Sequence, residues 1–452
     1  MPREIAHDLM QLLRTRGRVP SRELTAVLGI SRPTLMRAVQ SWERNVIVRG
    51  KARNTAYAAR RTVRGNDDGL PLYQIDMQGH GERVGVLDPL YPQGSALEFE
   101  KPFEWPLADE MVDGWFDGLP YPLDDMRPQG FLGRNFARRH ASILQVPEDP
   151  ARWHDDDVLH ALSVLGADTP GNYIIGRAAY QRYLDDTEDG DSFVADDDAL
   201  LSYYLQQAQA ALAYGVADSS AAGEFPKFAA RRRIADEPMH VLVKFSGADD
   251  APGTQRWSDL LVCEHLALRT VAEELGIASA DSRILQAGGR TFLEVIRFDR
   301  HGARGRSAVC SWSAINAALV GAVGNWIDGA AILRQRGWLS AGHENAVQKT
   351  WHFGRLIANT DMHDGNLAFR PGLALAPVYD MLPMLYAPVR GVELPERQFQ
   401  PSRPLPEDAE AWNAAASAAC IFWQRAAEDP RISDGFRRLC ADNGAILGVR
   451  LG

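Results

Sequence analysis

Cysteine is scarce: the four in 452 residues, Cys263, Cys310, Cys420 and Cys440, include no C-x-x-C pair. Their scatter disfavours a zinc knuckle and a disulfide framework alike, and reads as buried free thiols. Long apolar runs are also missing. No stretch approaches the roughly 20 residues that a membrane-crossing helix needs, so no membrane partner is expected. The opening MPREIAHDLM is charged and helix-patterned, unlike a signal peptide, and a cytoplasmic location is expected. No internal repeat is evident. An apolar fraction of 45% excludes a disordered chain, and the length exceeds one ordinary core, so two or three domains are expected.

The overall charge of −10 conceals an asymmetry. Through Arg64, fourteen Arg or Lys face four acids (Glu4, Asp8, Glu23 and Glu43), a net +10 that leaves −20 for the remainder. A basic module joined to an acidic body points to a nucleic-acid partner for the first part alone. Ile5, Leu9, Leu12 and Leu13 recur at helical spacing, giving a first helix over about residues 4–15 that Gly17 ends. Ser21 is placed to cap a second helix, with Ala26 and Leu28 inward, and Gly29 permits a tight turn. Ser31 caps a third, with Pro33 in its first turn. There Leu35, Val39 and Trp42 pack inward while Thr34, Arg37, Gln40 and Ser41 face out, which is the make-up of a recognition helix. Residues 46–49 and 55–58 flank the turn Gly50-Lys51-Ala52-Arg53-Asn54 and read as a hairpin wing. Arg32, Arg37 and Gln40 of the helix, with Lys51 and Arg53 of the wing, are the candidate DNA contacts. A winged helix used only for protein contacts is the bland alternative, and the local excess of arginine weighs against it. Residues 60–69, RRTVRGNDDG, read as a linker.

From Leu70 to about Phe99, short alternating stretches separated by glycine turns predict a small antiparallel sheet. The run Gly79-His80-Gly81 imitates a phosphate loop, but no helix pattern follows it, and a hairpin turn is the better reading. The acidic clusters 155–157 and 185–198 lack the EF-hand pattern of a calcium site and read as solvated loops.

The chemistry is concentrated in Thr360-Asp361-Met362-His363-Asp364-Gly365-Asn366, with Tyr379-Asp380 after a short hairpin. A helix-like segment, 346–357, precedes the loop. Phosphoryl transfer needs a carboxylate to orient the attacking hydroxyl and separate oxygen ligands to hold Mg²⁺ against nucleotide phosphates. In that arrangement Asp361 is the base, and Asn366 and Asp380 hold metal. A cation on the phosphates is also required, and the strand-like run Met239-His240-Val241-Leu242-Val243-Lys244 ends in one. Upstream, residues 218–227 form a small-residue loop whose backbone N–H groups suit phosphate, with Ser219, Ser220 and Gly223 within it. Glu264, on a helical stretch over 260–275, is placed to pair with Lys244, although His265 is equally near. Singly, each residue has a dull reading: Lys244 as a strand-end cation, Ser219 and Ser220 as turn residues, Asp380 as a cap. Their order along the chain favours the joint reading.

These residues resemble the HipA-type serine/threonine kinases of bacterial toxin–antitoxin systems. The family's catalytic loop, Asp-x-His-x-Lys-Asn, is matched at Asp361, His363 and Asn366, with Gly365 in place of the lysine. Its Tyr-Asp is matched by Tyr379-Asp380, and its Ser-x-x-Gly-x-x-x-Lys loop by Ser220, Gly223 and Lys227. Its Arg-Phe-Asp-Arg stands intact at 297–300, where the resemblance places Phe298 near adenine. Its Gly-Phe-Leu-Gly-Arg element stands at 130–134. The resemblance covers most of the chain from about Leu70, and the added helix-turn-helix looks like that of the YjjJ-like branch.

The resemblance implies an α+β, bilobal protein-kinase-like fold preceded by a winged helix-turn-helix. The expected domains are 1–64 (winged helix), 69–140 (HipA-like N-terminal subdomain), 141–305 (kinase N-lobe) and 306–452 (helical C-lobe). It further implies ATP and Mg²⁺, with Asp361 and His363 as catalytic residues and Lys244, Ser220, Gly223, Phe298 and Glu264 around the nucleotide. Asn366 and Asp380 are the metal ligands, and Ser220 is the site of self-phosphorylation. The implied partners are a protein substrate such as an aminoacyl-tRNA synthetase, DNA through the N-terminal module, and either a HipB-like antitoxin or self-restraint. A homodimer is expected because a lone winged helix buries little DNA surface. Two rivals remain open: a DNA-binding regulator whose kinase fold senses a ligand without turnover, and a small-molecule kinase of the aminoglycoside or choline type.

Overall fold

The computed structural model describes residues 2–186, 193–194, 197–214, 225–322, 324–389, 393–394 and 396–451. The chain divides into two compact units, the first comprising Met1–Asp76, His80–Arg127 and Arg152–Glu188.

The first unit opens with helix α1 (Pro2–Arg16), which buries Leu9, Met10 and Leu13 at helical spacing. Its end is set by Gly17, at φ +74°. A short strand β1 (Val19–Pro20), α2 (Ser21–Leu28) and α3 (Arg32–Gln40) follow. Ser31 caps α3 by accepting the backbone N–H of Thr34, and α3 buries Leu35, Ala38 and Val39. Two details differ from the sequence reading. Ser21 is the first helical residue, with Pro20 in the cap position, and Leu24 is buried while Ala26 is exposed. Starting the helix at Ser21 puts Leu24 and Leu28, four apart, on the inward face and turns Ala26 to the opposite side. The wing is the antiparallel pair β2 (Val46–Arg49) and β3 (Ala56–Ala59), with Val46 opposite Ala59, and β1 adds to the free edge of β3.

The segment 60–69 is bound tightly, not a loose linker. Arg60 pairs with Asp88 at 2.9 Å, Arg61 with Asp156 at 2.8 Å, and Arg64 with Asp157 at 2.6 Å. Ile47, Ala56 and Ala58 share an apolar cluster with Leu90, Ala96 and Trp115. The underlying sheet is antiparallel throughout, in the order β7–β6–β5–β4–β8. Its strands are β4 (Leu70–Ile75), β5 (Gly81–Pro89), β6 (Ser95–Phe99), β7 (Trp115–Phe116) and β8 (Tyr173–Ile175). Ile75 faces Gly81 across the first hairpin, so the glycine run is a turn. Helices α4 (Tyr121–Asp124), α6 (Asp155–Leu165) and α7 (Arg177–Asp186) complete the unit. Asp155, Asp156 and Asp157, read from sequence as a loop, form the first turn of α6, where carboxylates favour the positive end of the helix and meet Arg127, Arg61 and Arg64.

The second unit contains helix α5 (Gly130–Leu144) and the chain from Asp189 onward. The boundary expected after residue 140 falls inside α5, whose buried face runs continuously through Phe131, Ala137, Ala141 and Leu144. A four-stranded antiparallel sheet, in the order β11–β12–β10–β9, follows α8 (Asp197–Tyr214). Its strands are β9 (Lys227–Ile234), β10 (Glu237–Phe245), β11 (Ser282–Ala287) and β12 (Arg290–Ile296). Val241, Val243 and Phe245 of β10 pack with Leu200 and Tyr204 of α8. The alternation of a strand therefore turns Leu242 and Lys244 to the other face, where the long helix α9 (Pro252–Leu275) carries Glu264.

After a two-residue hairpin pair, β13 (Arg300–His301) and β14 (Gly305–Arg306), the chain becomes helical. Strand β15 (Cys310–Ser311) leads into α10 (Trp312–Ile315), a π-helical turn over Asn316–Val320, α11 (Trp326–Gln335) and α12 (Ala341–Leu356). The short strands β16 (Ala368–Arg370) and β17 (Ala374–Leu375) precede α13 (Ala409–Glu428) and α14 (Asp434–Leu451). Alanines at 415, 416 and 419 of α13 let its neighbours approach closely, and Trp423 donates its indole N–H to the carbonyl of Leu356 at 3.0 Å. Among the described residues, no helix is long and apolar enough to cross a membrane.

Candidate active site

The loop after α12 is shaped by its own side chains. Asn366, at the end of a short 3₁₀ turn, donates through Nδ2 to the carbonyl of Asp361 at 2.7 Å, which leaves Oδ1 as its acceptor end. Tyr379 donates its hydroxyl to the carbonyl of Gly365 at 2.8 Å. Asn316, in the π-helical turn, donates to the Asp364 carboxylate at 2.9 Å. His363 caps the 3₁₀ turn, its Nδ1 accepting the backbone N–H of Gly365 at 3.0 Å. A Cβ at position 365 would lie 2.9 Å from His363 Cε1. The missing side chain at Gly365 is therefore what lets the imidazole fold back over the turn. The carboxylate of Asp361 stays exposed.

Asp380 reaches the same place from the far side of the β16–β17 hairpin. Val378 is bound by backbone hydrogen bonds to Ala278 and Ala280, which fixes the chain two residues before Asp380. Lys244 Nζ donates to both Glu264 oxygens, at 2.7 and 2.8 Å, and to the Asp380 carboxylate. Lys244 and Glu264 are 4% and 1% exposed, so each needs the other as a partner. His265 points elsewhere: its Nδ1 meets Ser282 Oγ at 3.0 Å. The helix phase thus selects Glu264.

Charge balance within this group follows from burial and proximity. Burial opposes the charged form of Lys244, but the Asp380 and Glu264 carboxylates outweigh it and raise its pKa. Burial pushes the Glu264 carboxyl up to about 7, against the attraction of Lys244. Burial would also raise Asp380, yet Lys244 and Lys227 hold its carboxyl at about 2. The triad therefore favours an ionised carboxylate at Asp380 beside a cationic Lys244.

A cavity of about 520 Å³ collects these groups: Lys227, Lys244, Asp361, His363, Gly365, Asn366 and Asp380 all line it. Leu242, Phe225, Leu382 and Met384 supply apolar wall. Gln129, Gly130, Phe131 and Leu132, at the start of α5, line it as well, a role that sequence reasoning did not give them. Gly133 explains part of that motif, since a Cβ there would lie 2.4 Å from the Pro128 backbone. Lys227 is directly opposite Lys244 across the β9–β10 hairpin, so two of the chain's five lysines share the cavity. Asn359 and Asn316 were also missed, and nothing in their spacing marks them.

Phe298 is not among the cavity-lining residues. Its ring is 5.9 Å from that of Tyr379, so it supports the loop through that tyrosine. Asp299 anchors the same turn, pairing with Arg297 at 3.0 Å and Arg300 at 2.7 Å. Ser219, Ser220 and Gly223 lie outside the described residues. In the first unit, Arg32, Arg37, Gln40, Lys51 and Arg53 are exposed on α3 and the wing. Arg37 donates to Thr34 Oγ1 at 3.3 Å, and Arg32, Lys51 and Arg53 make no ion pair among the described residues.

Among the described residues, no three His, Cys, Asp or Glu side chains cluster as a metal cage. The oxygen pair of Asn366 and Asp380 nevertheless suits Mg²⁺, which takes few protein ligands and completes its shell with phosphate oxygens and water.

Comparison with known proteins covers most of the chain. Residues 66–184 match the model of the YjjJ-like toxin middle domain, and 219–437 match that of the HipA-like C-terminal domain. Toxin YjjJ of Escherichia coli strain K12 is 37% identical over 424 residues, 93% of each chain. In fold, the chain is similar to one in the solved Shewanella oneidensis MR-1 complex of HipA, HipB and operator DNA. That match has a TM-score of 0.50 at 14% identity, covering 84% of this chain and 96% of the other.

Proposed function

We propose, on the premise that this chain belongs to the YjjJ-like toxin family with a HipA-like C-terminal domain, that its cleft transfers a phosphoryl group from ATP to a Ser or Thr hydroxyl of a protein. The observation that carries this reading is the convergence of Lys244, Asp380, Asp361 and Asn366 on one cavity from distant parts of the sequence, with Glu264 paired to Lys244. Asp361, exposed at the cavity, accepts the proton of the incoming hydroxyl. Lys244 and Lys227 attract the nucleotide phosphates, and Glu264 holds Lys244 in place. Asn366 and Asp380 would hold Mg²⁺, which when bound neutralises charge on the phosphate oxygens.

The family resemblance supports a translation factor, such as an aminoacyl-tRNA synthetase, as the substrate class. It also supports Ser220 as a self-phosphorylation site; peptide mass spectrometry after incubation with Mg-ATP should find phosphate on Ser220 or its neighbour Ser219, and none in Asp361→Gln. The Shewanella HipA complex contains HipB and operator DNA. In this chain α3 and the wing take the DNA-binding part, as a homodimer on paired half-sites, with a HipB-like antitoxin or self-restraint holding the kinase in check. The decisive experiment is thiophosphate labelling of a bacterial lysate by the full chain and by Asp361→Gln. Labelled proteins present with the wild type and missing with the variant support the kinase; identical patterns refute it.

A further inference from the structure

Asn359 is 1% exposed and stands just after α12, ahead of the loop that carries Asp361. Both ends of its amide are engaged. Oδ1 accepts the backbone N–H of Asp361 at 3.0 Å, and Nδ2 donates to the backbone carbonyl of Asp380 at 3.3 Å. A single planar group therefore spans the residue of the proton acceptor and the residue of the metal carboxylate. Among the described residues, no side chain lining the cavity bonds the backbone of both.

Asp380 has φ +54°, a conformation that side chains other than Gly, Asn and Asp rarely adopt and that persists where surrounding structure enforces it. The peptide unit leaving Asp380 is the one Asn359 grips. Releasing it removes a side-chain hydrogen bond that holds Asp380 in this conformation. The other arm holds the first peptide N–H of the loop, so the same release loosens Asp361.

We propose that Asn359 is a positioning residue that couples Asp361 to Asp380, so that the proton-accepting and metal-holding carboxylates are set as one unit. The assignment rests on the kinase reading above. It makes a distinction that mere filling of space does not. Asp at 359 keeps an acceptor for the Asp361 N–H but replaces the donor to the Asp380 carbonyl with a second acceptor; Leu at 359 keeps the volume and removes both arms.

The test uses the full chain as wild type, Asn359→Asp and Asn359→Leu. Binding of a non-hydrolysable ATP analogue is titrated calorimetrically against Mg²⁺, alongside kcat and KM for ATP and the thermal midpoint. Loss of such outer support commonly costs about 10- to 100-fold in metal affinity or turnover. Asn359→Asp is expected to raise the Mg²⁺ concentration for half-maximal analogue binding by about tenfold, leaving analogue affinity in EDTA unchanged. Asn359→Leu is expected to lower kcat further with little change in KM. Should Asn359→Leu fail to fold, Asn359→Asp decides alone. A wild-type Mg²⁺ midpoint and kcat in Asn359→Asp overturn the positioning role while wild-type turnover preserves the kinase reading. A wild type that neither binds the analogue nor transfers phosphate overturns both.

Discussion

The cleft and the N-terminal module are both rich in charge, and they use it in opposite ways. In the cleft, Lys244, Glu264 and Asp380 are set against one another, two of them buried, so each position is dictated by the others. On α3 and the wing, Arg32, Arg37, Lys51 and Arg53 stand exposed. The module itself contains both kinds. Arg49, Arg60, Arg61 and Arg64 count toward its +10 yet are neutralised by Asp88, Glu98, Asp156 and Asp157. Charge met inside a fold is architecture, and charge left outside is what a partner reads. The sequence total does not separate the two.

The strongest way to break the contrast is to strike the cleft. Asp361→Gln and Asp380→Ala are each expected to lower phosphoryl transfer by at least ~10²-fold. Calorimetry separates them: Asp361→Gln keeps Mg-ATP affinity, and Asp380→Ala weakens it. If both transfer at wild-type rate, the buried charge of the cleft is architecture as well.

Lys244→Met leaves two carboxylates without their cation and is expected to cost about 3 kcal/mol of stability, since unpairing a buried ion is strongly destabilising. Chemical denaturation of the full chain measures it. A loss below about 1 kcal/mol, the scale of surface pairs, would show that the triad is solvated in practice.

Acidity sharpens the contrast next. With the Glu264 carboxyl held at about 7, turnover should rise as the group ionises between about pH 6 and 8. Glu264→Gln should lack that rise in an initial-rate profile. The stability linkage has the opposite sign. A raised carboxyl contributes fully below its usual value of 4.5, and that contribution is lost as pH climbs through about 7.

The smallest effects lie in the module, where inner and outer arginines should part company. Arg60→Ala leaves Asp88, 2% exposed, short of a partner and should destabilise by about 2 kcal/mol. Lys51→Ala should leave the unfolding curve in place and reduce the salt slope of duplex binding by about one. Arg37→Ala should cost about 1 to 3 kcal/mol at one base pair. Absence of duplex binding by the full chain at low salt would turn the exposed set into a protein-contact surface.

Much of the cleft could be read from sequence because its parts obey short spacing rules. Asp361 and Asn366 belong to one turn, and Lys244 ends an alternating strand. What stayed hidden depended on phase or on distance. One residue of helix rotation separates Glu264 from His265, and one residue of starting point separates Leu24 from Ala26. The lining by Gln129–Leu132 joins the start of α5 to the loop at 361, a tertiary meeting that no local pattern encodes. Asn359 looks like any polar residue before a turn until both of its amide ends are followed. The linker reading failed because RRTVRGNDDG has loop composition, whereas its arginines answer acids far along the chain.

The ionic and apolar seam beneath the wing has a consequence for how this protein can be taken apart. A cut after Arg64 would strip Ile47, Ala56 and Ala58 of Leu90, Ala96 and Trp115, and Arg49 and Arg60 of Asp88. The N-terminal module is therefore not a portable cassette. Grafted elsewhere, it would arrive with an exposed greasy underside and four arginines, Arg49, Arg60, Arg61 and Arg64, lacking their counterions, and the smallest transplantable piece is the winged helix together with the sheet and α6.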